Sequence, residues 1–154
     1  MHSVLFVCTA NQCRSPMAEG LLHLRVGLDN PQWRITSAGT WAFDGSPATV
    51  NAVLVLKEHD YDLSTHKSRT VDLQLVESHQ LILVMERNQK EALQVEFPQY
   101  AGRIYLLSEM IDRSFNIHDP VGEPLSEYQT MFSEFEQILE RGFDKIVQLS
   151  REPE

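Results

Sequence analysis

Two residues near the start of the chain, Cys8 and Arg14, are separated by five others in the stretch "CTANQCRS" (8–15). Their types and setting suit chemistry on an anion. A loop that leaves a strand and enters a helix can aim several backbone N–H groups at one point, and the helix dipole adds positive potential there. Such a concavity binds phosphate-like dianions. Arg14 at its end offers a planar fork of donors that matches tetrahedral oxyanions. A cysteine at the mouth of such a cradle is expected as a thiolate, the nucleophilic form of sulfur. Thiolate, cradle and arginine together suit attack on phosphorus, through a phosphocysteine that water later hydrolyses. The competing reading of Cys8 is a buried sulfur that merely ends a strand. Ser15 also reads two ways, as a partner of the thiolate or as a helix N-cap.

The surrounding elements must hold this loop in place, and their order alternates. Residues 3–8 read as a strand apolar on both faces. A helix over 16–28 follows, with Met17, Leu21, Leu24 and Leu28 on one stripe. "WRITSAG" (33–39) is the second strand, and Ser46-Pro47 opens a second helix through about His59, as Ser15-Pro16 opens the first. A short helix around 72–78 leads to the third strand, "LILVM" (81–85). Another over 88–96 leads to the fourth, "RIYLL" (103–107). A loop carrying Asn116, Asp119, Pro120, Gly122 and Pro124 precedes one long helix over 126–149, striped by Tyr128, Phe132, Phe135, Leu139, Phe143 and Ile146. Only "REPE" at the end reads as frayed.

Four near-continuous apolar strands separated by helices predict an α/β fold. One domain over 1–154 holds a four-stranded parallel sheet, doubly wound with helices on both faces. Ligands bind such sheets outside the carboxyl ends of the strands. That is where the loop of Cys8 falls, as a phosphate-binding loop between first strand and first helix.

Composition narrows the partners. Thirteen Lys+Arg against 22 Asp+Glu give a net charge of −9, which argues against nucleic acid or an anionic membrane as the main partner. Positive potential for an anion must therefore be local. No apolar run has the length of a membrane span. The opening "HSVLFVC" lacks the basic and apolar regions of a signal peptide, so a cytoplasmic location is expected. Cys8 and Cys13 have neither the spacing of a zinc site nor that of a thioredoxin-type pair. The six histidines form no ligand grouping, so neither metal nor cofactor is expected.

The stretch 8–20 resembles the active-site loop of the low-molecular-weight protein tyrosine phosphatases, C-x5-R-[ST]-P near the N-terminus followed here by "MAEG". "SAGT" (37–40), "HDYDLSTHKSR" (59–69) and "DP" (119–120) fall at the family's positions and in its order. The resemblance spans nearly the whole chain. It implies hydrolysis of phosphotyrosine on protein substrates, with Cys8 as nucleophile and Arg14 as clamp on the phosphoryl group and transition state. The phosphate-binding loop is Cys8, Thr9, Ala10, Asn11, Gln12, Cys13, Arg14 and Ser15. Asn11 is implied to hold the loop in a left-handed conformation, which asparagine tolerates, and Ser15 to hydrogen-bond the thiolate. Asp119, by itself a common turn residue before proline, becomes the general acid that protonates the leaving group and then activates water. His118 beside it reads as a solvated loop residue. Cys13 is either a small buried residue or a partner that traps oxidised Cys8 as a reversible disulfide.

The chain departs from the family pattern in two places. Val121 and Gly122 stand where the eukaryotic members carry a tyrosine pair, so one cleft wall differs; Trp41 or Phe43 is expected on the opposite wall, unless either plugs the core. Gln12 replaces the isoleucine usual in tyrosine-specific members and the threonine associated with relatives acting on phosphoarginine. Phosphoarginine is thus the alternative substrate. Arsenate reduction lacks its relay, since no cysteine follows Cys13. A phosphoprotein-binding module without catalysis would have lost Cys8, Arg14 or Asp119, and all three are present.

Overall fold

The first strand, β1 (His2–Cys8), has no exposed face, for every residue from Ser3 to Cys8 is buried. Such a strand needs a layer on each side. Val4, Phe6 and Cys8 enter one core with α1 (Arg14–Val26), α2 (Val50–Glu58), α5 (Leu125–Arg141) and α6 (Phe143–Ser150). Leu5 and Val7 enter a smaller core on the opposite face, with Val76 of α3 (Leu73–Glu77) and Leu93 of α4 (Arg87–Glu96). In the computed structural model, which describes residues 1–154, β1 pairs in parallel with β2 (Trp33–Gly39) and β3 (Leu81–Val84), and β3 with β4 (Ile104–Leu106). The order β2-β1-β3-β4 is the doubly wound arrangement expected. It puts the reversal of strand order between β1 and β3, where their carboxyl ends open a crevice.

Several boundaries differ from the sequence reading. α1 begins at Arg14, two residues early, with Cys13 at the cap position. Pro16 falls third in the helix, where its missing N–H costs nothing because the first-turn donors have no intrahelical acceptor. Gly27, at φ 104°, stops the helix, which leaves Leu28 outside it and exposed; Ala18 and Leu22 fill the core beside Met17 and Leu21. α2 begins at Val50 and not at Ser46-Pro47. The segment 46–49 is pinned elsewhere: Ser46 exchanges hydrogen bonds with Ser68, and Thr49 N–H donates to the Gln12 carbonyl at 2.8 Å.

The long final helix is in fact two, broken at Gly142. A β-carbon there would come within 2.8 Å of both Cβ and O of Met110, so the 3-10 turn Leu107–Ile111 presses against bare backbone. That turn and another, Pro98–Arg103, have no periodic signature and were not anticipated. The C-terminus is tied down as far as Glu152: Arg151 bridges to His2, Glu152 N–H donates to Met1 O, and its carboxylate pairs with Arg34. No helix is long and apolar enough to cross a membrane.

Candidate active site

At the crevice, Cys8 ends β1 opposite Gly39 of β2. The chain then turns so closely over β2 that a β-carbon on Gly39 would lie 2.4 Å from the Thr9 carbonyl oxygen and 3.1 Å from Asn11 N. Only glycine fits. The loop is anchored from β2's side by Thr40 N–H to Cys8 O and Trp41 N–H to Thr9 O, both 2.9 Å.

Asn11 is the keystone of the turn. It is fully buried and adopts φ 57°. Its Oδ1 accepts from Arg69 N–H at 3.0 Å, which fixes the side-chain amide the other way round. Nδ2 then donates to Ser15 Oγ at 2.8 Å and to Ser37 Oγ at 3.0 Å. Its carbonyl accepts from His66 Nε2 at 2.7 Å. A carbonyl can only accept, so His66 carries its proton on Nε2; burial lowers its pKa, against the pull of this hydrogen bond. The motif "HDYDLSTHKSR" therefore works through His66 and Arg69, which grip one asparagine.

Ser15 lies inside α1 and makes no cap. Its hydroxyl is 3.0 Å from Cys8 Sγ, with the Ala38 carbonyl as a more distant acceptor at 3.4 Å. Between these two residues the backbone N–H groups of Thr9 through Ser15 find no acceptor inside the protein. Buried N–H groups are nearly always paired. A run of unpaired N–H groups in a loop that enters a helix N-terminus is suited to receive an oxyanion.

Arg14 is 3% exposed. Its Nη1 donates to the Ile117 carbonyl at 2.9 Å and faces Glu86 Oε1 at 3.3 Å, and Nη2 is 3.8 Å from Asp119 Oδ2. Three elements meet on one guanidinium: the loop after β1, the turn after β3, and the loop before α5. Ile117 N–H joins that last loop to Met85 O at 2.8 Å. Asp119 is half exposed, and its Oδ1 accepts from Val121 N–H at 3.1 Å, which closes the Asp-Pro turn. His118 points to solvent, paired with Glu123 at 2.9 Å, and that carboxylate raises its pKa.

Glu86 and Gln89 escaped the sequence reading. Gln89 is buried; its Oε1 accepts from the N–H groups of Met85 and Glu86, and its Nε2 donates to Thr9 Oγ1 at 3.0 Å and Glu86 Oε2 at 3.3 Å. This one amide joins the loop to the carboxylate that faces Arg14. The signal was present as a capping-box pattern, Glu86 with Gln89 three residues on. Its link to the loop was not.

Cys13 is buried beneath the loop, where desolvation and the nearby Cys8 push its thiol up to about 12. The two cysteines are separate thiols. Trp41 and Phe43 are 78% and 77% exposed, which removes the core-plug reading of both. They ride on a loop laced to Ser68 and Thr70. Gln12 is partly exposed on the cradle, and Val121 stands exposed beside the acid loop.

A family model described as low molecular weight phosphotyrosine protein phosphatase matches residues 3–152. A probable low molecular weight protein-tyrosine-phosphatase, EpsP of Ralstonia nicotianae, is 37% identical over 94% of this chain and 92% of its own. A protein-arginine-phosphatase of Geobacillus stearothermophilus is 32% identical over 94% of this chain and 96% of its own. Among solved structures, a low molecular weight protein tyrosine phosphatase from T. tengcongensis superposes with a TM-score of 0.88 at 34% identity, covering 94% of this chain and 99% of its own.

Proposed function

The chain belongs to the low molecular weight phosphotyrosine protein phosphatase family, and on that premise we propose that it hydrolyses phosphotyrosine on protein substrates through a phosphocysteine, with residues 1–154 acting as one domain. The observation that carries the reading is the convergence on Arg14. The buried guanidinium is aimed by Glu86 and the Ile117 carbonyl, at the end of a loop of unpaired N–H groups, within 3.8 Å of Asp119.

In the first step the phosphoryl oxygens sit in the N–H groups of the loop and on Arg14, and the Cys8 thiolate attacks phosphorus. The S–P bond forms as the P–O bond to the tyrosyl ring breaks, and Asp119 gives its proton to the departing phenolic oxygen. Ser15 donates to the sulfur, which steadies the thiolate before attack and after release. In the second step Asp119, now a carboxylate, takes a proton from water as that water attacks phosphorus. The S–P bond breaks, and inorganic phosphate and the thiolate are released. Charge developing on the equatorial oxygens meets donors already in place, the preorganised stabilisation that carries most of such rate enhancement.

The exposed rings of Trp41 and Phe43 suit the wall of a slot for a flat phenyl group. Phosphoarginine is the second reading. It is favoured by the arginine phosphatase among the relatives and by Gln12, a longer, hydrogen-bonding side chain where the tyrosine-specific members carry a small apolar one. Cys13 fits as redox partner: a sulfenic acid formed on Cys8 by peroxide would condense with the Cys13 thiol, losing water and forming a disulfide. The sparing use of cysteine accords with a reducing, cytoplasmic setting.

The test is turnover of phosphotyrosine and phosphoarginine peptides side by side, with a chelator present and Cys8→Ser as control. Release of phosphate from the phosphotyrosine peptide, abolished in the variant, is expected. Preference for phosphoarginine would exchange the substrate while keeping the three residues in their roles. No release from either by folded protein would end the catalytic reading.

A further inference from the structure

Beside the acid loop, on the side of α4, lies an open cleft of about 620 Å³ lined by Arg87, Lys90, Arg113 and Lys145. These are four of the 13 cationic side chains in a chain whose net charge is −9. Two of them are spent. Lys90 pairs with Glu109 at 2.7 Å, and Lys145 with Asp112 at 2.9 Å. The other two are free of ion pairs. Arg87 donates from Nη2 to the carbonyl and hydroxyl of Ser114, neutral groups that hold its stem and leave its charge uncompensated. Arg113 is exposed on the cleft, and no ion pair or hydrogen bond holds its guanidinium. Glu91 is the one lining carboxylate outside the two pairs.

The position matters as much as the charge. Arg87 directly follows Glu86, the carboxylate facing Arg14, and its N–H donates to Asn116 Oδ1 at 2.9 Å, three residues before Asp119. The cleft thus opens along the same strand ends as the catalytic crevice, a few residues of extended chain away. We infer that this cleft is a docking surface for an acidic segment of the substrate polypeptide, flanking its phosphorylated residue. The inference rests on the phosphatase reading above. Guanidinium forks match carboxylates in a bidentate way. On an otherwise acidic surface, a local positive site steers an acidic flank and repels little of it. The two ion pairs neutralise Lys90 and Lys145, and Arg87 and Arg113 make the contacts.

The test uses the Cys8→Ala protein, which has no side chain there to accept the phosphoryl group. Its affinity is measured by fluorescence anisotropy for two phosphotyrosine peptides that differ only in a run of glutamates or glutamines on one flank. About five-fold tighter binding of the acidic peptide is expected, from two exposed pairs of ordinary strength, with the gap closing as salt is raised. The gap should vanish when Arg87→Gln and Arg113→Gln are added. Arg113→Gln alone should narrow it, and this change disturbs no other contact. Equal affinities, or a gap that survives the double substitution, would overturn the inference. Unphosphorylated versions of both peptides separate the two failures. A flank preference that persists without any gain from the phosphoryl group would keep the docking surface and remove the phosphatase reading. A phosphoryl gain without a flank preference would do the reverse.

Discussion

The Ser15 hydroxyl stands 3.0 Å from the Cys8 sulfur, and the hydrogen bonds around it decide which way it points. Arg69 N–H can only donate, so it claims Asn11 Oδ1; Asn11 Nδ2 then donates to Ser15 Oγ, and the serine's own hydrogen keeps two acceptors, the Cys8 sulfur at 3.0 Å and the Ala38 carbonyl at 3.4 Å, of which a thiolate, nearer and charged, would take it. The chain of donors ends at the Cys8 sulfur. A serine that looks like a helix cap is set beside the Cys8 sulfur, with its orientation shaped by a backbone N–H far away in sequence.

Asn11 does two things in this chain, and two substitutions separate them. Asn11→Gly keeps the left-handed backbone and loses the side-chain bonds; Asn11→Ala loses both. Leaving Ser15, Ser37 and Arg69 N–H without their partner costs about 1–3 kcal/mol, and a β-carbon without compensation at φ 57° adds on the order of 1 kcal/mol. Urea unfolding should rank alanine below glycine and both below the native protein. If the two variants are equally stable, backbone geometry is not what Asn11 contributes.

Asp119→Ala should slow turnover of an alkyl or unactivated aryl phosphate by about 10²–10⁴-fold, and that of nitrophenyl phosphate far less, because nitrophenolate leaves without a proton. The leaving-group dependence of kcat is the measurement. Equal losses on both substrates would take Asp119 out of the acid role.

Gln89→Leu keeps roughly the volume of the side chain and deletes its amide. The N–H groups of Met85 and Glu86 lose their acceptor, and Thr9 and Glu86 lose their donor. Stability should fall by about 2–4 kcal/mol. As Glu86 loosens against Arg14, kcat should fall more than KM rises. A variant that loses stability with unchanged kcat would show that Gln89 braces the fold alone.

Mild peroxide should inactivate the native protein reversibly, and Cys13→Ser should make the loss irreversible to thiol. Because burial and Cys8 hold the Cys13 thiol up at about 12, the thiolate that closes the disulfide is scarce at neutral pH. Trapping should therefore quicken as pH rises from 7 to 9. Identical recovery of the two proteins would remove Cys13 from redox protection.

Glu19 of α1 lies behind the loop beside Ser37 and Arg69; burial pushes its carboxyl up to about 7, against the opposing pull of those two neighbours. A carboxyl with a raised folded pKa stays protonated in the folded protein while the unfolded chain ionises near 4.5. Its contribution is thus complete below about pH 4.5 and is lost as pH rises through 7. The stability of the native protein relative to Glu19→Gln should fall across that window. A flat difference would mean that Glu19 ionises in the fold as it does in water.

Much of this was legible in order and pattern. The apolar run of β1 announced a strand buried on both faces, and alternation with helices announced the parallel sheet and the crevice at its carboxyl ends. The spacing from Cys8 to Arg14 marked the loop. Features set by contact across the fold were not legible. The break at Gly142 comes from the approach of Met110, and the late start of α2 from the grip of Ser68 and Gln12 on 46–49. Periodicity records what a segment prefers by itself; it holds no record of what presses on it. The site divides the same way. Cys8 and Arg14 are near neighbours in sequence, and a loop between strand and helix brings them together whatever else folds around it. Glu86, Gln89, Ile117 and Asp119 meet Arg14 only because the sheet sets β3 beside β1 and stacks their outgoing loops at one end. Local sequence determined where Cys8, Arg14 and the loop between them fall. Strand order in three dimensions decided what surrounds the arginine, and what meets the serine beside the sulfur.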